Sequence, residues 1–235
     1  MGKRKAPLKI TPLSLIGELL ITAGVILLLY VVWQVFVNDP IVGAKQETQS
    51  KTYTQTQNPS DQTNQFETIS KKLKQGKVFG KLYIPRFGNT YQRLIGQGTF
   101  QNVTLNKIGP GHYLSSQWPG EVGNFAVAAH RTSHGAPFNK IDTLKAGDLV
   151  FVQTNDKWFE YEYRQTKIVD PSDIGVISKV PRELTGAHAG GKYMTMTSCH
   201  PKWSNQQRII VWLELVNEYP TADGMPINLR NLQNE

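Results

Sequence analysis

The sequence has a single cysteine, Cys199, in 235 residues. One thiol excludes an intrachain disulfide and a cysteine-built zinc site. One-sided charge is also scarce. The 26 Lys and Arg against 18 Asp and Glu give a net charge of +8. The excess is split evenly. Residues 1–75 hold nine basic and five acidic side chains, and residues 76–235 hold 17 and 13. The one basic cluster is Lys3, Arg4, Lys5 and Lys9 at the extreme N-terminus. A nucleic-acid-binding domain gathers basic charge on a folded surface, so this distribution argues against that class. There is no internal repeat, which sets aside solenoid architectures. Long apolar runs are absent except for one.

That run is Leu19 to Val37, 19 residues without a formal charge. As a helix it spans roughly 28 Å, close to the apolar thickness of a bilayer. The mean hydropathy of the whole chain, −0.37, conceals it. Trp33 near its far end suits an interfacial aromatic belt. The basic residues precede it, so the positive-inside rule predicts a cytoplasmic N-terminus over residues 1–12, a membrane anchor over 13–37 and an extracytoplasmic remainder. Val42-Gly43-Ala44 looks like a signal-peptidase site. The apolar run, however, exceeds the roughly 7–15 residues of a cleaved signal. Residues 38–76 are rich in Gln, Thr, Ser, Asn and Lys. Tyr53, Phe66, Ile69 and Leu73 are too sparse to offset the entropy of ordering, so this stretch reads as a flexible stalk. Within it, Phe66 to Leu73 has the spacing of a short helix.

From residue 77 to 235 the pattern is that of short strands. Val78–Ile84, Phe125–Ala129, Asp148–Gln153, Lys157–Tyr163, Lys192–Cys199 and Arg208–Val216 are apolar or alternating runs broken by turn residues. Thr154-Asn155-Asp156 reads as a hairpin turn. Short helices are expected around Phe138–Leu144 and near Glu183. About eight short strands predict an all-β barrel or sandwich.

The lone thiol draws attention because an extracytoplasmic free cysteine is open to oxidation. Cys199 closes a strand ahead of Pro201, where a substrate can reach it. Alternation places Thr195, Thr197 and Cys199 on one strand face. A free cysteine is also commonly a small buried hydrophobe. His130, after the run Phe125–Ala129, is a candidate base or cation for a thiolate. Arg208 returns to the neighbourhood of Cys199 if the two strands form a hairpin, and a guanidinium there can serve an oxyanion.

These residues resemble the sortase family. The carrying stretches are Thr195-Met196-Thr197-Ser198-Cys199, the run CHPKWSNQQRIIV from Cys199 to Val211, and NFAVAAHRTSHGAPF from Asn124 to Phe138. GKLYIPRFG from Gly80 and GPGHY from Gly109 add to it, and the pattern is most like class E. Met196 and Ser198 stand where the family usually has Leu and Thr. The resemblance implies a closed barrel and a cysteine transpeptidase acting on a Leu-Ala/Pro-X-Thr-Gly-type C-terminal signal of secreted proteins. Cys199 would form a thioester with the threonine, His130 would protonate the leaving glycine amine, and Arg208 would hold the oxyanion or substrate. A peptidoglycan precursor amine would complete the transfer. Tyr113, Thr197 and Ser198 are the implied substrate contacts. No cofactor is implied, and Asp170, Asp173 and Glu183 are too dispersed for a metal site.

Other readings stay open at this point. Ser133-His134-Gly135 echoes an L,D-transpeptidase motif, but Ala136 stands where that motif has its cysteine. A pilus-building sortase and a membrane-tethered binding domain with an inert thiol are the further alternatives.

Overall fold

The computed structural model describes residues 11–53 and 74–234. They form two compact units, one ending at Pro40 and one beginning at Ile41. The first is essentially α1, Pro12–Trp33. Thr11 caps it, accepting from Ser14 N at 3.2 Å while the Ser14 hydroxyl accepts from Thr11 N at 3.1 Å. Pro12 at the first turn has no N–H to leave unpaired. None of the α1 side chains is buried, and the helix is long and apolar enough to cross a membrane.

A π-helical turn, Gln34–Asn38, leads into α2, Asp39–Thr52. The chain is therefore helical where the composition predicts the start of a flexible stalk. From Ile41 onward α2 belongs to the second unit, and Gly43, Gln46 and Ser50 are its buried residues there. That stripe has helical spacing but no apolar members, so hydrophobic periodicity does not reveal it. The Phe66–Leu73 segment lies outside the described residues.

The second unit is a closed barrel of eight strands. They are β1 (Val78–Tyr83), β2 (Gln92–Gln97), β3 (Gly111–His112), β4 (Gly123–Ala128), β5 (Leu149–Gln153), β6 (Lys157–Val169), β7 (Lys192–His200) and β8 (Gln207–Pro220). The order around the barrel is β1-β2-β3-β4-β7-β8-β6-β5. The β4–β7 and β2–β3 pairs are parallel, and the others are antiparallel. Closure leaves no free sheet edge. A C-terminal helix, α3 (Ile227–Asn234), buries Leu229 against Tyr83, Phe151 and Trp158.

Period-two alternation sorts the side chains between two layers. Phe125, Val127 and Ala129 point into the barrel with Met194, Met196, Ile209, Val211 and Leu213. Tyr193, Ile210 and Trp212 point outward, beneath Val176 and Leu184 of the β6–β7 connection. Because β4 is covered on both faces, it reads as a continuous small apolar run rather than an alternating one.

Five further elements differ from the sequence reading. β2 and β3 escape notice because Arg93, Gln97 and His112 are buried polar residues within them. Phe138–Leu144 forms turns and a short 3-10 segment, Ile141–Thr143, instead of a helix, and the region of Glu183 is also turn. The polar C-terminal tail carries α3, anchored by the single buried residue Leu229.

Candidate active site

β4, β7 and β8 lie side by side, and their neighbouring ends carry the three singled-out residues. In the antiparallel β7–β8 pair Cys199 stands directly opposite Arg208. In the parallel β4–β7 pair Ala128 stands beside Thr197, and Ala129 N continues the ladder to Thr197 O at 3.2 Å. His130 lies two residues past the last β4 pair, as Cys199 lies two residues past Thr197 along β7. Alternation puts all three side chains on the outer face, since their neighbours Ala129, Ser198 and Ile209 point inward. The strand pairing thus gathers a thiol, an imidazole and a guanidinium that lie far apart in sequence. Cys199 is a free, half-buried thiol.

His130 is held on two sides. Its Nε2 lies 2.7 Å from Asn106 Oδ1, and its ring stacks on that of His134 with centroids 4.8 Å apart. A carboxamide oxygen only accepts, so Nε2 carries the hydrogen and Nδ1 is the basic atom of the neutral ring. Burial, and then the positive charge of His134, lower the His130 pKa to about 4. At neutral pH His130 is therefore an uncharged imidazole, with Nδ1 as its proton-accepting atom.

Arg131, the next residue, is 3% exposed. Its guanidinium donates to the Cys199 carbonyl at 3.3 Å and to the Asn139 carbonyl at 3.1 Å, and pairs with Asp142 at 3.0 Å. A buried cation is thereby fixed directly behind the Cys199 backbone. The Arg208 guanidinium is half-exposed and bonds the carbonyls of Asn205 and Gln207, each at 2.9 Å. It is parked on its own turn, within the outer face, with donors that an incoming anionic group can recruit.

Tyr113 and Thr197 sit on the same face. The Tyr113 hydroxyl and Thr197 Oγ1 are 2.9 Å apart, so the phenol lies two residues before the nucleophile along β7. Ser198 differs from the expectation of a substrate contact. It is 4% exposed, points into the barrel and donates to the Ala129 carbonyl at 2.8 Å. The residue between two outward-facing positions of a strand must face inward, and its hydroxyl ties β7 to the end of β4. Farther along the outer face, the turn Ile174–Ile177 is fastened by Asn124 and Trp212 to the Val176 carbonyl, at 3.4 and 3.1 Å.

The other histidines are accounted for locally. His112 is buried among Phe79, Trp118 and Phe125, and burial lowers its pKa to about 4. His200 follows the nucleophile, with Nδ1 buried and unpartnered. Asp170 and Asp173 accept from Ser172 and Gly175 N respectively, and Glu183 pairs with Lys167. Among the described residues no three His, Cys, Asp or Glu side chains converge as a metal site.

Sequence reading alone misses Asn106 and the buried state of Arg131. Asn106 is one polar residue in a mixed segment after the π-helical turn Gln101–Leu105, and nothing local ties it to His130. Arg131 lies next to His130, and its adjacency is the only signal available.

The chain matches the family model described as "Sortase domain" over residues 82–216. Sortase SrtE1 of Streptomyces coelicolor is 31% identical over 90% of this chain, and this chain spans 59% of that protein's length. The structure of sortase E from Streptomyces avermitilis is 38% identical and superposes with a TM-score of 0.62, covering 67% of this chain and all of that one. The structure of sortase E1 from S. coelicolor with a tripeptide in the active site is 32% identical, with a TM-score of 0.62 over 66% of this chain and 97% of that one.

Proposed function

Since this chain belongs to the sortase family, we propose that it is a membrane-anchored cysteine transpeptidase whose reacting groups are Cys199, His130 and Arg208. The observation that best supports this reading is the direct Cys199–Arg208 pair, with His130 two residues past the end of β4, the strand that runs beside β7.

In the resting site the His130 imidazole is uncharged. A sorting-signal peptide laid along the outer face brings its threonine carbonyl to Cys199. The thiol proton passes to His130 Nδ1 as sulfur attacks the carbonyl carbon. The carbonyl oxygen takes the negative charge, and Arg208 turns from its own carbonyls to meet it with a planar pair of donors. Collapse breaks the Thr–Gly bond, and His130 returns its proton to the departing glycine nitrogen. The acyl group is left as a thioester on Cys199. An acceptor amine then attacks that thioester, His130 takes its proton, and the sulfur leaves as thiolate and is reprotonated by His130. Each proton has a named donor and acceptor, and His130 serves alternately as base and acid.

The signal is of the Leu-Ala/Pro-X-Thr-Gly type, and the acceptor is an amine of a cell-wall precursor. The class E resemblance supports this reading, and for the signal so does the position of Tyr113 beside Thr197. α1 serves as a single-pass anchor with a cytoplasmic N-terminus, because the basic residues precede it. The test is incubation of the full chain in detergent with a panel of such pentapeptides and a glycine-based amine. Mass spectrometry should show a peptide–amine product and a thioester adduct on Cys199. Absence of both across the panel would refute the reading.

A further inference from the structure

The loop after His130 is backbone-strained. His134, Gly135 and Ala136 have φ of +52°, +79° and +42°, three consecutive left-handed residues, two of them with a Cβ. Such a run persists only where surrounding contacts enforce it. Those contacts come largely from α2. Gln46 Nε2 donates to the His134 carbonyl at 3.0 Å. Gly43 packs backbone to backbone on Gly135. A Cβ on Gly135 would stand 2.9 Å from Gly43 Cα and 2.8 Å from Gln46 Oε1. One turn further on, Glu47 pairs with buried Arg93 at 3.6 Å. The Arg93 guanidinium lies over the Tyr91 ring, whose hydroxyl donates to the Pro137 carbonyl. The helix therefore grips both ends of the strained segment. The segment in turn sets the His134 ring that stacks on His130.

We propose that α2 is part of the catalytic module and that Gln46 is a positioning residue for His130, acting through the His134 carbonyl. This rests on the reading of His130 as the acid–base group. Gln46 is 2% exposed, and its Oε1 is buried without a partner. The amide is in place for its donor, and the donor goes to the loop.

The substitution Gln46→Met keeps the volume, removes the donor and removes the orphaned acceptor. The melting temperature should be unchanged or raised. In the full chain labelled with 15N-histidine, the His130 ring resonances should shift, and amides 133–138 should exchange faster with solvent. With the signal peptide and amine, kcat should fall about three- to tenfold with KM unchanged, the loss expected for one hydrogen bond. Ser50→Ala, on the same α2 face but against Gln92, should leave these readouts at native values. Native His130 resonances and loop exchange in Gln46→Met would overturn the proposal. So would native kcat, or a kcat loss matched by a fall in melting temperature. A native chain without turnover would count against the transpeptidase reading alone. The ring resonances and exchange rates would still decide the role of Gln46.

Discussion

Cys199 on β7 and Arg208 on β8 face each other across a direct antiparallel pair. This relation fixes the site more firmly than sequence proximity does. Sliding the hairpin by one residue would send both side chains to the barrel interior. The inward neighbours Met196, Ile209 and Val211 hold that register, so packing within the barrel determines where the chemistry stands outside it.

Cys199→Ala should abolish product and thioester while leaving the fold intact, because the side chain is half-buried and belongs to no core cluster. Circular dichroism and intact mass after incubation with peptide make the check. Product formation by Cys199→Ala would remove the thiol from the mechanism.

The two stacked histidines should separate clearly. His130→Ala should lose essentially all turnover, whereas His134→Ala, which removes only the stacked ring, should lose no more than about tenfold. The His134 charge helps to hold the His130 pKa down. His134→Ala should therefore raise the apparent pKa of His130 from its value near 4, read as an upward move of the acidic limb of kcat/KM. Asn106→Leu should lower kcat about 10- to 100-fold, since it frees the tautomer and the orientation of the ring. An Asn106→Leu enzyme with native kcat would show that the Nε2–Asn106 bond is incidental.

Much of this site is legible in the sequence. Cys199 ends an alternating strand, His130 follows a short apolar run, and a nine-residue offset carries Arg208 back to the thiol. Each is a signal of local spacing. The remaining parts depend on tertiary pairing. Asn106 reaches His130 across 24 residues, and Gln46 reaches the His134 carbonyl across 88. α2 hides its packed face in Gly43, Gln46 and Ser50, residues that hydrophobic patterning treats as solvent-facing. β2 hides likewise, because buried Arg93 interrupts its apolar period. Ser198 is a different case. Its place beside the nucleophile invites a substrate role, whereas the strand period turns its hydroxyl inward to Ala129.

Acid should destabilise the fold before it unfolds the carboxylate pairs. His112 and His130 take a proton in the unfolded chain as pH falls through about 6.5. In the folded chain burial holds both neutral down to about 4. Between those values the unfolded state binds more protons, so stability falls as pH drops across the window. For fully buried His112 the loss is on the order of 3 kcal/mol. Thermal unfolding at a series of pH values from 7 to 4.5 should show a progressive fall in melting temperature. A flat profile over that range would contradict the buried neutral state of both rings.

Arg208→Lys should not behave as a conservative change. Ammonium cannot present two parallel donors, and loss of an oxyanion donor costs roughly 10²–10³ in kcat. Turnover within a few fold of native for Arg208→Lys would mean that Arg208 supplies positive charge alone.

Tyr113 gives the last prediction, on substrate choice. Its hydroxyl is bonded to Thr197 Oγ1 at 2.9 Å, on the face that carries Cys199 and two residues before it. A peptide running along that face toward the nucleophile passes the phenol ahead of its scissile bond. At the second signal position alanine offers a backbone N–H and proline does not. The phenol oxygen has an acceptor site to spare once its proton is given to Thr197, so it can take that N–H. Forgoing such a bond costs about 1–3 kcal/mol, roughly 5- to 150-fold in kcat/KM. Leu-Ala-X-Thr-Gly should therefore be preferred over Leu-Pro-X-Thr-Gly within that range. Tyr113→Phe keeps the ring and loses the oxygen, so it should narrow the ratio chiefly by slowing the alanine peptide. A proline preference in the native enzyme would contradict the assigned specificity. An alanine preference unchanged in Tyr113→Phe would place the discrimination elsewhere in the groove and leave Tyr113 as packing for Thr197.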